Sequence, residues 1–322
     1  MAAPPPASAP TAPPAPTLPG PHRPSPAGGR TRGLRLARPP EACRDRCGPA
    51  ASGTAPGDPA TLLHELRGDA ARRRPVDPGL AGGLREWLED GVAGAAASFP
   101  AGAPPVVVDR RAMAGWPAHP PGARREVTLP RLRAALTAVA FRQLVATGPV
   151  DDPVTDALDA LSAEEGGSEL ADVAAGLDPA GRAALRRDLA GAAATMAARW
   201  PPVPAGWLPR TGDRLSVPLA GGRVVVVGTA DLVLGAPPAR RSSVCVVEVR
   251  AGGPGTDVHG RRLLALLETL RSGAPPCRVA TYHASTGELQ VEEPSDRQLG
   301  ETVQDVVACA VARCRERLGA VA

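Results

Sequence analysis

The sequence contains no lysine, no isoleucine and no asparagine, so all 37 of its basic residues are arginines. Codons for the three missing residue types are rich in A and T, which indicates a genome under strong GC pressure. Part of the abundance of arginine, alanine, valine and leucine therefore reflects codon use rather than chemistry. Because lysine is absent, every mechanism that requires a lysine amine is excluded, including phosphate binding by a Walker A lysine.

Several catalytic and cofactor motifs are absent as well. The sequence has no G-x-S-x-G nucleophile elbow, no H-E-x-x-H pair and no G-x-G-x-x-G loop. Serine hydrolase, ATPase and dinucleotide-binding functions that depend on such motifs are therefore not indicated. The formal net charge of +4 over 322 residues is modest and does not by itself predict a nucleic acid partner.

The chain also lacks long apolar runs. No stretch approaches the roughly 18 apolar residues of a membrane span, and the N-terminus has prolines where a signal peptide requires an apolar region. We therefore expect a cytoplasmic protein with no membrane partner, in which the six cysteines are reduced thiols. The spacing of Cys43 with Cys47, and of Cys309 with Cys314, does not match that of a zinc or iron–sulfur site.

Composition and periodicity divide the chain into regions. Residues 1–57 are rich in proline and alanine and are predicted to be a disordered tail. Residues 58–125 are predicted to be a small helical region and linker, whose Pro- and Gly-rich end, 113–127, marks an internal boundary. Residues 126–322 are predicted to form one domain, with a helical part at 126–200 and an α/β core at 201–322.

The pattern changes from helical to β within the C-terminal domain. RLSVPL, GRVVVVGTADLVLG and SSVCVVEVR are typical of three strands separated by turn residues. A helix is predicted at 257–272, then a strand pair, CRVATYHA and GELQVEE, and then a closing amphipathic helix from 297 to 318. This order of elements predicts an α/β fold class.

Two carboxylates and one arginine occupy informative positions on these strands. Asp231 follows a β-forming run and a small-residue turn, whereas Glu248 and Arg250 are two residues apart in the next strand and so share one face of the sheet. Carboxylates from adjacent strands are suitable ligands for Mg²⁺ or Mn²⁺, and a neighbouring cation can contact phosphate. Alternatively, Asp231 is a turn residue that binds local backbone, and Glu248 forms an ion pair with Arg250 or another arginine.

At this point residues 200–293 resemble the PD-(D/E)XK nuclease superfamily, in particular its RecB-like branch. That family has an Asp strand, then a Glu-x-Lys strand, then a helix across the sheet. The resemblance implies a restriction-endonuclease-like core with a mixed central sheet flanked by helices. It also implies a Mg²⁺- or Mn²⁺-dependent nuclease acting on DNA, in which Asp231 and Glu248 hold the metal and Arg250 contacts the scissile phosphate.

Arg250 occupies the position of the family lysine, and this departure leaves the function open. An arginine grips phosphate bidentately but effectively never deprotonates, so binding should survive better than turnover. The alternatives are a degenerate nuclease-fold protein that binds nucleic acid or another protein, and a plain structural domain. On the following helix, His259, Arg261 and Arg262 are candidate substrate-binding residues, with capping or solvation as the other explanation.

Overall fold

The structure is a computed structural model, and it describes residues 59–69, 73–100, 102–115, 128–164, 167–236, 241–253 and 258–319. Its helices are α1 Pro59–Arg67, α2 Leu80–Ala97, α3 Arg110–Met113, α4 Leu129–Thr147, α5 Pro153–Ala163, α6 Ser168–Gly176, α7 Pro179–Arg199, α8 Val258–Ser272 and α9 Asp296–Gly319. Its strands are β1 Val106–Val108, β2 Arg210–Leu219, β3 Val224–Leu234, β4 Cys245–Arg250, β5 Arg278–His283 and β6 Glu288–Glu292.

The helices of the middle region begin and end at residues that suit those positions. The Asp152 side chain accepts hydrogen bonds from two backbone N–H groups at the start of α5, and Asp178 accepts one from Gly181 at 2.6 Å at the start of α7. Helix α4 has a proline in its first turn and ends at Gly148, whose φ of 85° suits glycine. Thr128 is the N-cap residue of α4, but its side chain makes no capping hydrogen bond.

The six strands form one mixed sheet in the order β1, β3, β4, β5, β6, and β2 pairs with the other edge of β3. Strands β4 and β5 are parallel, whereas β2 with β3, β3 with β4, and β5 with β6 are antiparallel. One edge of β3 is shared by two strands. β1 runs parallel to Val224–Val226 at its start, and β4 runs antiparallel to Leu232–Leu234 at its end.

Helices cover both faces of this sheet, each over its own hydrophobic cluster. The first cluster joins the sheet to apolar residues of α2, α8 and α9, including Leu88, Leu266 and Val303. The second joins it to α1, α4, α5, α6 and α7. The predicted α/β class, with a mixed central sheet flanked by helices, is therefore confirmed.

An aromatic group forms the centre of the second cluster. Phe141 of α4, Trp200 after α7 and Tyr282 of β5 are in mutual contact, with ring centroids 4.6 to 5.8 Å apart. Tyr282 and Phe141 are completely buried. Because aromatic side chains bury large apolar areas, this contact ties the helical layer to the sheet.

Strand β4 follows the alternation expected of a strand buried on both faces. Val246 packs in the first cluster, whereas Val247 and Val249 pack in the second. Glu248 and Arg250 therefore lie on the side of the sheet that α8 covers. This confirms the expectation that the two charged residues share one face and the two valines share the other.

Two helices in the structure are not predicted by the sequence pattern. Helix α3 is a single turn directly after β1, and α6 is a nine-residue helix of mostly small residues between α5 and α7. Segment 58–125, which the sequence pattern separates from residues 126–322, contributes β1 to the same sheet and α2 to the same hydrophobic cluster. The first strand and the α/β core predicted at 201–322 thus share one packed interior.

Some predicted regions lie outside the described residues. They include the predicted tail, 1–57, with Cys43 and Cys47, and residues 116–127 of the predicted linker. None of the helices in the described part of the chain combines the length and apolarity that a membrane span requires.

Candidate functional site

The candidate site lies where β3 and β4 diverge. Their antiparallel pairing ends with Leu232 opposite Val247, and Asp231 and Glu248 are the next residue of each strand beyond that pair. Both carboxylates are buried, with 6% of Asp231 and 7% of Glu248 exposed. The two residues that the sequence motif nominates therefore meet at a fork in the sheet.

The carboxylate of Asp231 spans this fork. One oxygen, Oδ2, accepts a hydrogen bond of 2.7 Å from the backbone N–H of Val249, which no longer has a ladder partner on β3. The other oxygen, Oδ1, lies 3.7 Å from Nη1 of Arg142 on α4. The turn-residue explanation of Asp231 predicts a contact with local backbone, whereas this hydrogen bond joins two different strands.

Burial dominates the electrostatics of Asp231. Desolvation raises the pKa of its carboxyl group from 3.8 to about 6, and the nearby negative charge of Glu248 acts in the same direction. The hydrogen bond from Val249 and the charges of Arg142 and Arg110 oppose this rise but do not cancel it. The buried carboxyl group of Asp231 therefore takes up a proton more readily than the carboxyl group of an exposed aspartate.

Arg142 passes close to Gly212 of β2, which has no side chain, and contacts Asp231. Gly212 of β2 lies across from Asp231 and has a φ of 66°, in the left-handed region that favours glycine. A Cβ atom at Gly212 would lie 3.2 Å from Cδ of Arg142. The Nη2 group of the same arginine donates to Oε1 of Glu164, so Arg142 pairs with two carboxylates.

Two arginines hold the carboxylate of Glu248. Arg110, the first residue of α3, donates from Nη1 to Oε1, and Arg250 donates from Nη2 to Oε2 at 3.1 Å. Both oxygens of Glu248 are thus engaged by guanidinium groups. This is the ion pair that was the alternative explanation for Glu248, with a second arginine added.

The N-terminal turn of α8 closes over this ion pair. A Cβ atom on Gly260 would lie 2.8 Å from Cδ of Arg110 and 3.1 Å from both Glu248 Oε2 and Arg250 Nη2. A side chain at this position would therefore displace the arginines, and glycine lets the helix backbone approach them closely.

A cleft with a volume of about 630 Å³ opens beside the ion pair. Arg110 and Arg250 lie on one side of it, Arg133 and Asp188 on another, and Ser285 and the loop after β4 complete it. Arg133 and Asp188 form an ion pair of 3.0 Å, and both side chains are partly exposed. Of the charged residues that line the cleft, three are arginines and one is an acid, so its lining carries an excess of positive charge.

The predicted substrate-binding residues on α8 separate into two groups. His259 lies in the first turn of α8, next to Gly260 and hence close to the ion pair. Arg261 is buried and contacts Thr281, Gln290 and Glu292 on β5 and β6 at 3.2 to 3.4 Å.

Arg262 lies within 3.9 Å of carboxylate oxygens of Glu292 and Glu301. His259 is thus adjacent in sequence to the glycine that packs on Glu248 and Arg250, whereas Arg261 and Arg262 join α8 to β6 and α9.

Arg110 and Arg142 are site residues that the sequence motif does not indicate. Arg110 lies two residues after β1, and a charged residue close to the end of a buried strand is a weak signal for a site. Arg142 lies in the middle of a helical pattern and has no distinguishing signal among the other arginines.

The atoms around Asp231 and Glu248 show whether these residues could hold a metal ion. Asp231 and Glu248 supply the hard oxygen atoms that Mg²⁺ and Mn²⁺ prefer. However, Glu248 is covered by Arg110 and Arg250, and Asp231 faces a backbone N–H and Arg142. Within the described ranges, no group of three or more His, Cys, Asp or Glu side chains could hold a metal ion. The residues therefore fit two carboxylates neutralised by arginines rather than a metal centre.

No family model matches the chain, and no curated protein matches its sequence. The resemblance of residues 200–293 to the PD-(D/E)XK superfamily thus stays a prediction that is carried by Asp231, Glu248 and Arg250.

Proposed function

We propose that the chain is a PD-(D/E)XK-like protein of the RecB-like branch, with a restriction-endonuclease-like core, that binds the phosphodiester backbone of DNA without cutting it. The observation that carries this proposal is the arginine cover on Glu248. A site built for phosphodiester hydrolysis needs its carboxylates available for a metal ion, whereas here Arg110 and Arg250 engage both oxygens of Glu248.

The order of elements supports the family part of the proposal. The Asp strand, β3, pairs antiparallel with the Glu-x-Arg strand, β4, and α8 then leads to β5, which is parallel to β4. The family pattern likewise has an Asp strand, a Glu-x-Lys strand and a helix across the sheet. Asp231 and Glu248 lie together at the divergence of the two strands, as that pattern requires.

The charges of the cleft support the binding part of the proposal. A guanidinium group offers several N–H donors in a planar fork, so an arginine can pair with a carboxylate and still donate to a phosphate. The side chain of Arg110 is 41% exposed and lines the cleft together with Arg250. Sequence-independent contacts of arginines with phosphates are a main source of DNA affinity.

The second candidate is the metal-dependent nuclease, with Asp231 and Glu248 holding Mg²⁺ or Mn²⁺ and Arg250 on the scissile phosphate. The proximity of the two carboxylates favours it. This candidate requires Arg110 to leave Glu248 before a cation can bind, and the attraction of the buried Glu248 carboxylate for the guanidinium group opposes that movement.

Fluorescence anisotropy of labelled single- and double-stranded DNA and RNA tests the proposal, with EDTA in one series and Mg²⁺ or Mn²⁺ in another. We expect binding to DNA in EDTA. Arg250→Ala should weaken this binding and reduce the slope of log affinity against log salt by about one. Arg297→Ala is the matched control, because it removes the same charge from a side chain that is 81% exposed and paired with Glu301 on α9.

The same substrates, analysed for cleavage, distinguish the two candidates. Cleavage by the wild type that is lost in Asp231→Ala would establish the nuclease and refute binding without turnover. Absence of DNA binding in every series, from a protein that unfolds cooperatively, would refute both candidates and favour a structural domain.

A further inference from the structure

Arg110 is not part of the sequence motif formed by Asp231, Glu248 and Arg250, yet it contacts Glu248. It belongs to α3, which follows β1, and it contacts Glu248, which lies 138 residues later in the sequence. Asp109 fixes the start of α3, because its side chain accepts a hydrogen bond of 2.8 Å from the backbone N–H of Ala112. The guanidinium of Arg110 is thus delivered to Glu248 by an ordered turn.

The surroundings leave little room for rearrangement around this contact. The backbone of Gly260 abuts Arg110 on one side, and Arg250 holds the second oxygen of Glu248 on the other. Glu248 itself is buried, so its negative charge needs a compensating cation nearby. The structure provides that compensation with guanidinium groups.

The balance of charge disfavours a metal ion at Glu248 while both arginines are paired with it. Two carboxylates, Asp231 and Glu248, are faced by three arginines, Arg110, Arg142 and Arg250. A divalent cation on Glu248 would add two positive charges within a few ångströms of two guanidinium groups, in a buried setting where such repulsion is weakly screened. This repulsion disfavours a metal ion on Glu248 as long as Arg110 occupies Oε1.

We infer that Arg110 takes the place of the divalent cation on Glu248 and thereby makes the cleft a receptor for anions instead of a metal site. The inference deepens the proposed function and rests on it for the identity of the anion, but the exclusion of the metal can be tested without any nucleic acid. Removing Arg110 should free Oε1 of Glu248, close to the carboxylate of Asp231, and create a cation site while Arg250 still pairs with Oε2.

Binding of Mn²⁺ to the full chain, followed by electron paramagnetic resonance and calorimetry, provides the test. The wild type should show no saturable Mn²⁺ binding. Arg110→Ala and Arg110→Gln should each gain one saturable site per chain, with an affinity about tenfold or more above the weak background binding of the wild type. The double variant Arg110→Ala with Glu248→Gln should lose that site again.

Two further variants separate this explanation from a general change in charge or fold. Arg110→Lys keeps the positive charge and should gain no site. Arg133→Ala removes one positive charge from the same cleft without touching Glu248, and it too should gain none. Thermal unfolding identifies which variants are folded, and Arg110→Gln keeps a polar side chain in the same space.

Saturable Mn²⁺ binding by the wild type that Asp231→Ala removes would overturn the inference. A folded Arg110→Gln protein without a Mn²⁺ site would overturn it as well. Neither result depends on DNA binding, so failure of this inference and failure of the proposed function would be recognised separately.

Discussion

Replacement of Asp231 by asparagine should stabilise the protein at neutral pH and above. Asparagine has nearly the same shape, and its side-chain oxygen can still accept the hydrogen bond from the Val249 N–H. The substitution removes the buried charge, and Arg142 keeps Glu164 as an ionic partner. It therefore imitates the protonated form of Asp231 at every pH.

The pKa of Asp231 sets the size of the expected gain in the free energy of unfolding. Folding raises this pKa from 3.8 to about 6, so the folded state binds the proton more tightly than the unfolded state. The resulting stability is fully present below pH 3.8 and is lost as the pH rises to about 6. At about 1.4 kcal/mol per pKa unit, the loss is about 3 kcal/mol above that pH.

Urea unfolding at pH 4, 6 and 8, followed by tryptophan fluorescence, measures the effect. The free energy of unfolding of Asp231→Asn should equal that of the wild type near pH 4 and exceed it by up to about 3 kcal/mol at pH 8. Asp188→Asn is the control, because this exposed carboxylate pairs with Arg133 and should change the value by less than about 0.5 kcal/mol. A variant that is no more stable than the wild type at pH 8 would refute the reasoning.

Two other substitutions test the packing around the site by the same urea assay. Arg271→Ala removes the partner that lies 2.6 Å from the buried Glu268 carboxylate, so we expect a loss of about 3 kcal/mol, most of which Glu268→Gln should restore in the double variant. If Glu268→Gln restored none of the stability lost in Arg271→Ala, the loss would not have an electrostatic cause. Gly212→Ala forces a side chain into a positive φ beside Arg142 and should cost about 1–2 kcal/mol, whereas Gly82→Ala, in open space on α2, should cost nothing.

The elements of the C-terminal domain could be predicted because their signals are local. Runs of valine indicate β3 and β4, the alternation in RLSVPL indicates β2, and helical spacing indicates α4, α7 and α9. The alternation in β4 likewise predicts that Glu248 and Arg250 share a face, since that depends only on the two-residue period of a strand. Helix α3 could not be predicted in this way, because four residues are too few to show a period.

The arginine cover of the site could not be predicted because it depends on pairing between distant segments. Arg110 reaches Glu248 only after β1 has joined β3, and Arg142 reaches Asp231 only after α4 has packed on the sheet. Neither pairing follows from the spacing of residues along the chain. In a sequence whose basic residues are all arginine, residue type also fails to distinguish these two from solvated arginines.

The burial of Arg261 could have been recognised from the pattern of α8. Leu264 and Glu268 follow it at intervals of three and seven residues, which places all three on one side of the helix, and all three are buried. Residues 263–269 are buried as well, so α8 is enclosed on nearly every side and has little surface left for substrate.

The attachment of β1 to the start of β3 has a consequence for synthesis on the ribosome. Helix α2 and β1 are made early, yet their partners, β3 and α9, follow more than a hundred residues later. Contacts so distant in sequence form slowly because a long loop must close first. Until then the apolar face of α2 stays uncovered, so the nascent chain passes through a stage in which it is open to chaperones and to aggregation.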